Sequence, residues 1–239
     1  MSAITERLQA VQARICQSAT AAGRDPQDIA LLAVSKAQTA EAIRDAWAAG
    51  QQRFGENYLQ EALNKQALLQ DLNIEWHFIG PIQSNKTQPI AQHFSWVHGV
   101  DRLKIAERLS AARPAELPSL QICLQVNVSH EESKSGINPE EAYALASAIA
   151  KLPRLQLRGL MAIPAPTPDM ELQRTQFRMV RDLYDALKQQ GIALDTLSIG
   201  MSEDFPVAIA EGATIVRVGS AIFGPRPAKA APDTESKTA

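Results

Sequence analysis

Eight short strand-like runs, separated for the most part by segments of helical periodicity, constrain the fold of this chain more than any other feature. The runs cover residues 29–36, 53–57, 75–80, 95–100, 120–128, 155–163, 196–200 and 215–223. Between them, residues 39–49, 59–69, 85–93, 103–112, 139–151, 172–190 and 205–211 carry apolar residues at helical spacing. Runs that are apolar almost throughout read as parallel strands buried on both faces. Their alternation with helices indicates an α/β architecture. Eight such units in 239 residues, with no long Pro- or Gly-rich linker, predict one closed (β/α)8 barrel. An extra helix precedes it, with Ile4, Leu8, Val11 and Ile15 on one face. The rival architecture is an open doubly wound sheet, which often has a Gly-rich fingerprint after its first strand; none follows Lys36.

The expected division is therefore a single barrel domain over residues 1–228 and a disordered tail over 229–239, where no apolar period remains. Residues 1–20 lack the apolar core of a signal peptide, and no stretch reaches the length of a membrane span. A cytoplasmic protein that binds no membrane is expected. Twenty-four basic against 26 acidic residues leave a formal charge of -2, which gives nucleic acid no basic field to condense on. Cys16 and Cys123 have no metal or redox spacing and read as buried small hydrophobes. No long exposed apolar stripe stands out, so a monomer is expected.

In a barrel of this kind the chemistry gathers where the strands end, at the C-terminal mouth. Lys36 is a suspect on that ground. Strand alternation puts Leu32, Val34 and Lys36 on one face. If that face is the interior, desolvation favours the free amine that can attack an aldehyde; otherwise Lys36 simply reaches solvent as the strand ends. Arg217 interrupts an apolar strand whose helix-facing residues are Val216 and Val218, so its guanidinium points inward. A buried guanidinium needs an acceptor, either a carboxylate or a ring nitrogen of a bound ligand.

Ser198-Ile199-Gly200-Met201-Ser202 and Gly219-Ser220-Ala221 close strands seven and eight with small residues and accessible N–H groups. Barrels frequently hold a phosphate with these two loops and a helix N-terminus. Ser202 is also placed to cap the following helix. Asn57 and His77 end strands two and three and read otherwise as hydrogen-bonded core or loop residues. The four histidines show no metal-binding spacing, and no nucleophile motif occurs. Residues 129–136 are read as a solvated turn, and Pro164, Pro166 and Pro168 as a stiff rim.

Seven blocks resemble one family in order and content: LLAVSK at Leu31–Lys36, RFGENY at Arg53–Tyr58, EWHFIGPIQSNK at Glu75–Lys86, SKSGI at Ser133–Ile137, RGLMAIPAP at Arg158–Pro166, SIGMSED at Ser198–Asp204 and VRVGSAIFGPR at Val216–Arg226. These are the pyridoxal phosphate homeostasis proteins, which share a fold with the N-terminal barrel of alanine racemase. The resemblance implies that pyridoxal 5'-phosphate (PLP) is held as a covalent imine on Lys36. It also implies that Arg217 faces the pyridine nitrogen, that Ser202, Gly219 and Ser220 bind the phosphate, and that Asn57, His77 and Met201 line the pocket. The family commonly carries a second lysine two positions after the first; that position here is Gln38.

A non-enzymatic PLP carrier that buffers vitamin B6 pools is therefore expected, with PLP-dependent apo-enzymes as partners. An arginine at the ring nitrogen leaves the ring a weak electron sink. A racemase of this architecture would also need a tyrosine base from a second domain, for which few residues remain after strand eight. The competing expectation is a small amino-acid racemase or lyase that uses His77 or Tyr58 as proton donor.

Overall fold

A computed structural model describes residues 2–128 and 135–225. The eight strands are β1 (Ala30–Val34), β2 (Arg53–Glu56), β3 (Glu75–Phe78), β4 (Trp96–Val100), β5 (Leu120–Gln125), β6 (Leu155–Met161), β7 (Thr196–Ser198) and β8 (Ile215–Val218). All neighbours pair in parallel, and β8 pairs with β1, so the sheet closes into a barrel in sequence order.

The helices outside the sheet are α1 (Ala3–Ala21), α2 (Ala40–Ala48), α3 (Leu59–Leu68), α4 (Thr87–His93), α5 (Leu103–Ala112), α6 (Ala142–Ile149), α7 (Met170–Gln189), α8 (Phe205–Ala210) and α9 (Ser220–Phe223). Thr39 caps α2 as its sequence suggests, its hydroxyl accepting the Ala42 N–H at 3.2 Å. Leu8, Val11, Ile15 and Ala19 form the buried stripe of α1. Among the described residues no helix is long and apolar enough to cross a membrane.

Alternation along the strands separates two environments. Outward residues such as Leu31, Ala33, Val216 and Val218 join the apolar layer between barrel and helices. Inside the barrel, Leu32, Ile79 and Ile215 form a small apolar cluster, while His77, His98, Ser198 and Arg217 are buried polar groups. The barrel axis is thus partly filled with hydrogen-bonding side chains.

Several sequence expectations are corrected. The eighth run is not strand throughout: β8 stops at Val218 and Ser220–Phe223 is a helical turn. The first strand ends at Val34, two residues before Lys36. Cys16 is exposed, because it lies beside Ile15 on the helix and outside the buried stripe; Cys123 is buried. Most of the 129–136 turn, the boundary at 228 and the tail fall outside the described residues.

Candidate functional site at the barrel mouth

Lys36 is placed by a turn. The Gln38 N–H donates to the Ser35 carbonyl at 3.0 Å, with Lys36 and Ala37 between them. Ala37 has φ +58°, a left-handed conformation that is unfavourable for a residue with a Cβ. Its N–H is fixed by the Glu61 carboxylate at 2.6 Å.

Beneath this turn lies a buried ion cluster that the sequence did not reveal. Lys65 Nζ donates to the Ser35 carbonyl at 2.6 Å, to Glu56 Oε1 at 2.8 Å and to Glu61 Oε1 at 2.5 Å. All three ammonium donors therefore have acceptors. The Ser35 hydroxyl donates to Glu56 Oε1 at 2.6 Å. Burial raises the Glu56 carboxyl above its ordinary range even against the attraction of Lys65. At the level of sequence, Glu61 and Lys65 are an ordinary solvated i,i+4 pair; only the fold shows that Lys65 turns inward.

Arg217 faces the interior and is 4% exposed. Its Nη1 donates to the Ser198 hydroxyl at 2.9 Å and to the Ser198 carbonyl, and its Nη2 donates to the Ala162 carbonyl at 2.9 Å. Among the described residues no carboxylate forms an ion pair with it. Burial lowers its pKa to about 10, which leaves it charged at neutral pH. Of the two acceptors considered from sequence, no carboxylate bonds directly to it among the described residues; Asp204 acts on it only through its charge, at longer range.

The Ser202 hydroxyl lies 3.4 Å from the Gly219 N–H and 3.3 Å from the Ser220 hydroxyl. Ser202 does not cap α8; the capping position belongs to Asp204, whose carboxylate accepts the Met201 N–H at 2.5 Å. Gly200, with φ +90°, makes the turn out of β7, and a Cβ there would stand 2.6 Å from that of Ala208. A Cβ on Gly219 would meet the Val34 carbonyl oxygen at 3.2 Å.

These groups converge on one cavity of about 280 Å³ at the C-terminal mouth. Lys36, Asn57, Met201, Ser202, Arg217, Gly219 and Ser220 all line it. Sequence reasoning assigned no site role to Val34, Ile79, Ile163, Glu203 and Gly224, which complete its wall, and gave Gln38 no role although it lines the cavity. The first two share the inward strand face with Lys36 and His77, so alternation could have found them.

His77 is the exception. It lies within β3, fully buried, bonded to Glu75 and His98, and it lines a different cleft of about 840 Å³. That cleft is at the foot of the barrel, where Ala30, Glu75, Trp96 and Thr196 begin their strands. Its charged groups largely answer one another, Arg53 with Glu75 and Arg158 with Asp195. Position along the strand explains the correction: His77 shares a face with Ile79 but sits two residues, about 6.6 Å, deeper. Tyr58 is exposed and does not line the mouth cavity. Among the described residues no three metal-ligating side chains gather.

Comparison with known proteins agrees with this architecture. The family model described as alanine racemase, N-terminal domain, matches residues 7–227. The chain is 61% identical over 226 residues to a pyridoxal phosphate homeostasis protein of Pseudomonas aeruginosa, covering 95% of this chain and 97% of the relative. It is 51% identical over 229 residues to the protein of that name from Escherichia coli, covering 95% and 98%. The structure of PipY from Synechococcus elongatus with PLP bound superposes with a TM-score of 0.82 at 39% identity, covering 92% of this chain and all of that one. Alanine racemase of Corynebacterium glutamicum shares the fold, with a TM-score of 0.66 at 18% identity; the match covers 95% of this chain and 63% of that one. Near-complete coverage at these identities, with the racemase-type barrel observed, places the chain in the pyridoxal phosphate homeostasis protein family.

Proposed function

We propose that this protein binds PLP in the mouth cavity and serves as a non-catalytic carrier and buffer of the cofactor in the cytoplasm. In this reading Lys36 holds the aldehyde carbon as a reversible imine. Arg217 faces the ring nitrogen, and Ser202, Gly219 and Ser220 receive the phosphate. Asn57 and Met201 line the ring; His77 is withdrawn from that role.

One observation carries the reading: an amine, a buried guanidinium without a carboxylate partner among the described residues, and a small polar cradle line the same cavity. The residues present fit the cofactor in two further respects. Asn57 Oδ1 is buried with no hydrogen-bond partner, as expected of a group that meets a ligand. Gly219 keeps the cradle open where any side chain would crowd Val34. The relatives named for PLP homeostasis and the PLP-bound PipY support the same assignment.

When bound, the cofactor supplies an electrophilic aldehyde and a ring able to accept electrons. The residues here bind and orient it more than they promote proton transfer. Arg217 is a donor only and stays charged, so it cannot protonate the ring nitrogen as an acidic partner would. His77 and Tyr58, the proton donors a racemase or lyase would need, lie outside the cavity. The protein is proposed to act on PLP-dependent apo-enzymes as recipients, and to do so as a monomer.

The test has two arms. Incubation with PLP should give a new absorption band that is lost in Lys36→Ala. Solvent deuterium should not enter Cα of a panel of amino acids; sustained, Lys36-dependent exchange would establish an enzyme instead.

A further inference from the structure

The polar interior of the barrel holds an arrangement that ligand binding alone does not use. Glu75 Oε1 lies 2.8 Å from His77 Nε2, and His77 Nδ1 lies 2.9 Å from His98 Nε2. His98 Nδ1 is 2.8 Å from the Ser198 hydroxyl, which is 2.9 Å from Arg217 Nη1. Five side chains from β3, β4, β7 and β8 thus join the cleft at the barrel foot to the wall of the mouth cavity.

The hydrogens of this chain can be assigned from its carboxylate end. A carboxylate only accepts, so His77 carries its proton on Nε2. A neutral imidazole then accepts at Nδ1, so His98 donates from Nε2 and accepts at its own Nδ1. The Ser198 hydroxyl supplies that hydrogen and, in turn, accepts from Arg217. Arg217, which only donates, is compatible with this assignment but does not force it, because a hydroxyl can accept twice. Reversal would put the Nε2 lone pair of a neutral His77 against the Glu75 carboxylate, two acceptors facing each other.

Burial is consistent with this state. Desolvation pulls both imidazoles below their ordinary range, and the bond from His77 holds the Glu75 carboxyl down. The His77 ring is further fixed by parallel stacking on Trp96, with centroids 5.3 Å apart.

We propose that His77 and His98 are positioning residues for Arg217: through Ser198 they fix the guanidinium in the orientation it presents to the ligand, with Glu75 at the barrel foot setting both tautomers. The proposal rests on the cofactor reading of the mouth cavity. It assigns a role to a residue the sequence pointed to, His77, at a depth where it cannot touch the ligand.

The test pairs two substitutions with one direct observation. His98→Phe keeps a planar ring, somewhat larger than imidazole, and breaks the chain on both sides; His98→Gln offers an amide that can span the same contacts. With folding checked by circular dichroism, His98→Phe should weaken PLP binding roughly tenfold, about the effect of one hydrogen bond to a charged group, and shift the absorption maximum of the bound cofactor. His98→Gln should restore most of both. Unchanged affinity and spectrum in His98→Phe, or equal losses in the two variants, would overturn the proposal. If His98→Phe does not fold, Ser198→Ala takes its place with the same expectation.

Nitrogen NMR of the wild-type imidazoles, without ligand, should show both rings neutral and protonated on Nε2 near neutral pH. A ring protonated on Nδ1, or on both nitrogens, would contradict the chain. If wild-type protein takes up no PLP, the cofactor reading falls while this measurement still decides the hydrogen-bond assignment.

Discussion

Lys65 Nζ lies 2.6 Å from the carbonyl oxygen of Ser35, which puts a buried ammonium directly under the turn that carries Lys36. That ammonium also neutralises Glu56, whose side chain is fully enclosed. Lys36 therefore stands on a foundation that is itself charged, and the charge balance of that foundation should bear on both stability and cofactor retention.

Removing one partner of a buried pair leaves the other uncompensated, at a cost of about 3–5 kcal/mol. Lys65→Met should lower unfolding stability in urea by that order and weaken retention of PLP. The double variant Lys65→Met with Glu56→Leu should regain much of the stability, since an apolar pair of similar volume has no charge to strand. Equal losses in the single and double variants would assign the effect to packing and not to charge.

The interior histidines predict an acid-sensitive fold. His77 and His98 have folded pKa values below their unfolded ones, so the unfolded chain binds more protons as pH falls through the unfolded value. Their stabilisation is complete above about pH 6.5 and is lost below it, at up to about 1.4 kcal/mol per pH unit for each ring. Urea midpoints measured from pH 7.5 down to about 5.5 should fall, and fall less steeply in His98→Gln. A flat profile in the wild type would refute the neutral-histidine core.

A Cβ added at Gly80 would stand 2.2 Å from the Asn57 carbonyl oxygen, a backbone atom with little room to yield. Gly80→Ala should cost about 1–3 kcal/mol and displace Asn57 from the cavity wall. Loss of stability with unaltered PLP affinity would show that Asn57 contributes nothing to binding.

The cradle predicts selectivity for the phosphorylated vitamer. Ser202→Ala combined with Ser220→Ala should reduce PLP affinity by about tenfold or more while leaving pyridoxal nearly unaffected, because in the proposed pose only the phosphate uses those hydroxyls. Parallel titrations of both compounds measure the ratio; a proportional fall for both would move the phosphate elsewhere.

How far the sequence could lead depended on what kind of signal each residue gave. The eight-strand alternation and the inward aim of Arg217 were legible, because strand period and apolar neighbours decide them locally. The helical turn at Ser220–Phe223 was not: a short apolar run has no period of its own and reads equally as strand or helix. His77 was given the right face but the wrong height, which register sets and side-chain type does not. Glu56, Lys65 and Ser35 were missed because their meeting depends on how α3 packs over β1 and β2, and a sequence shows only that Glu61 and Lys65 could pair along a helix.

The most direct test of the central claim is the intact mass of the purified protein after incubation with PLP and reduction with borohydride, with peptide mapping of the product. Wild-type protein should gain one phosphopyridoxyl group, located on Lys36, and Lys36→Ala should gain none. A wild-type protein of unchanged mass, or an adduct retained in full by Lys36→Ala, would contradict the account.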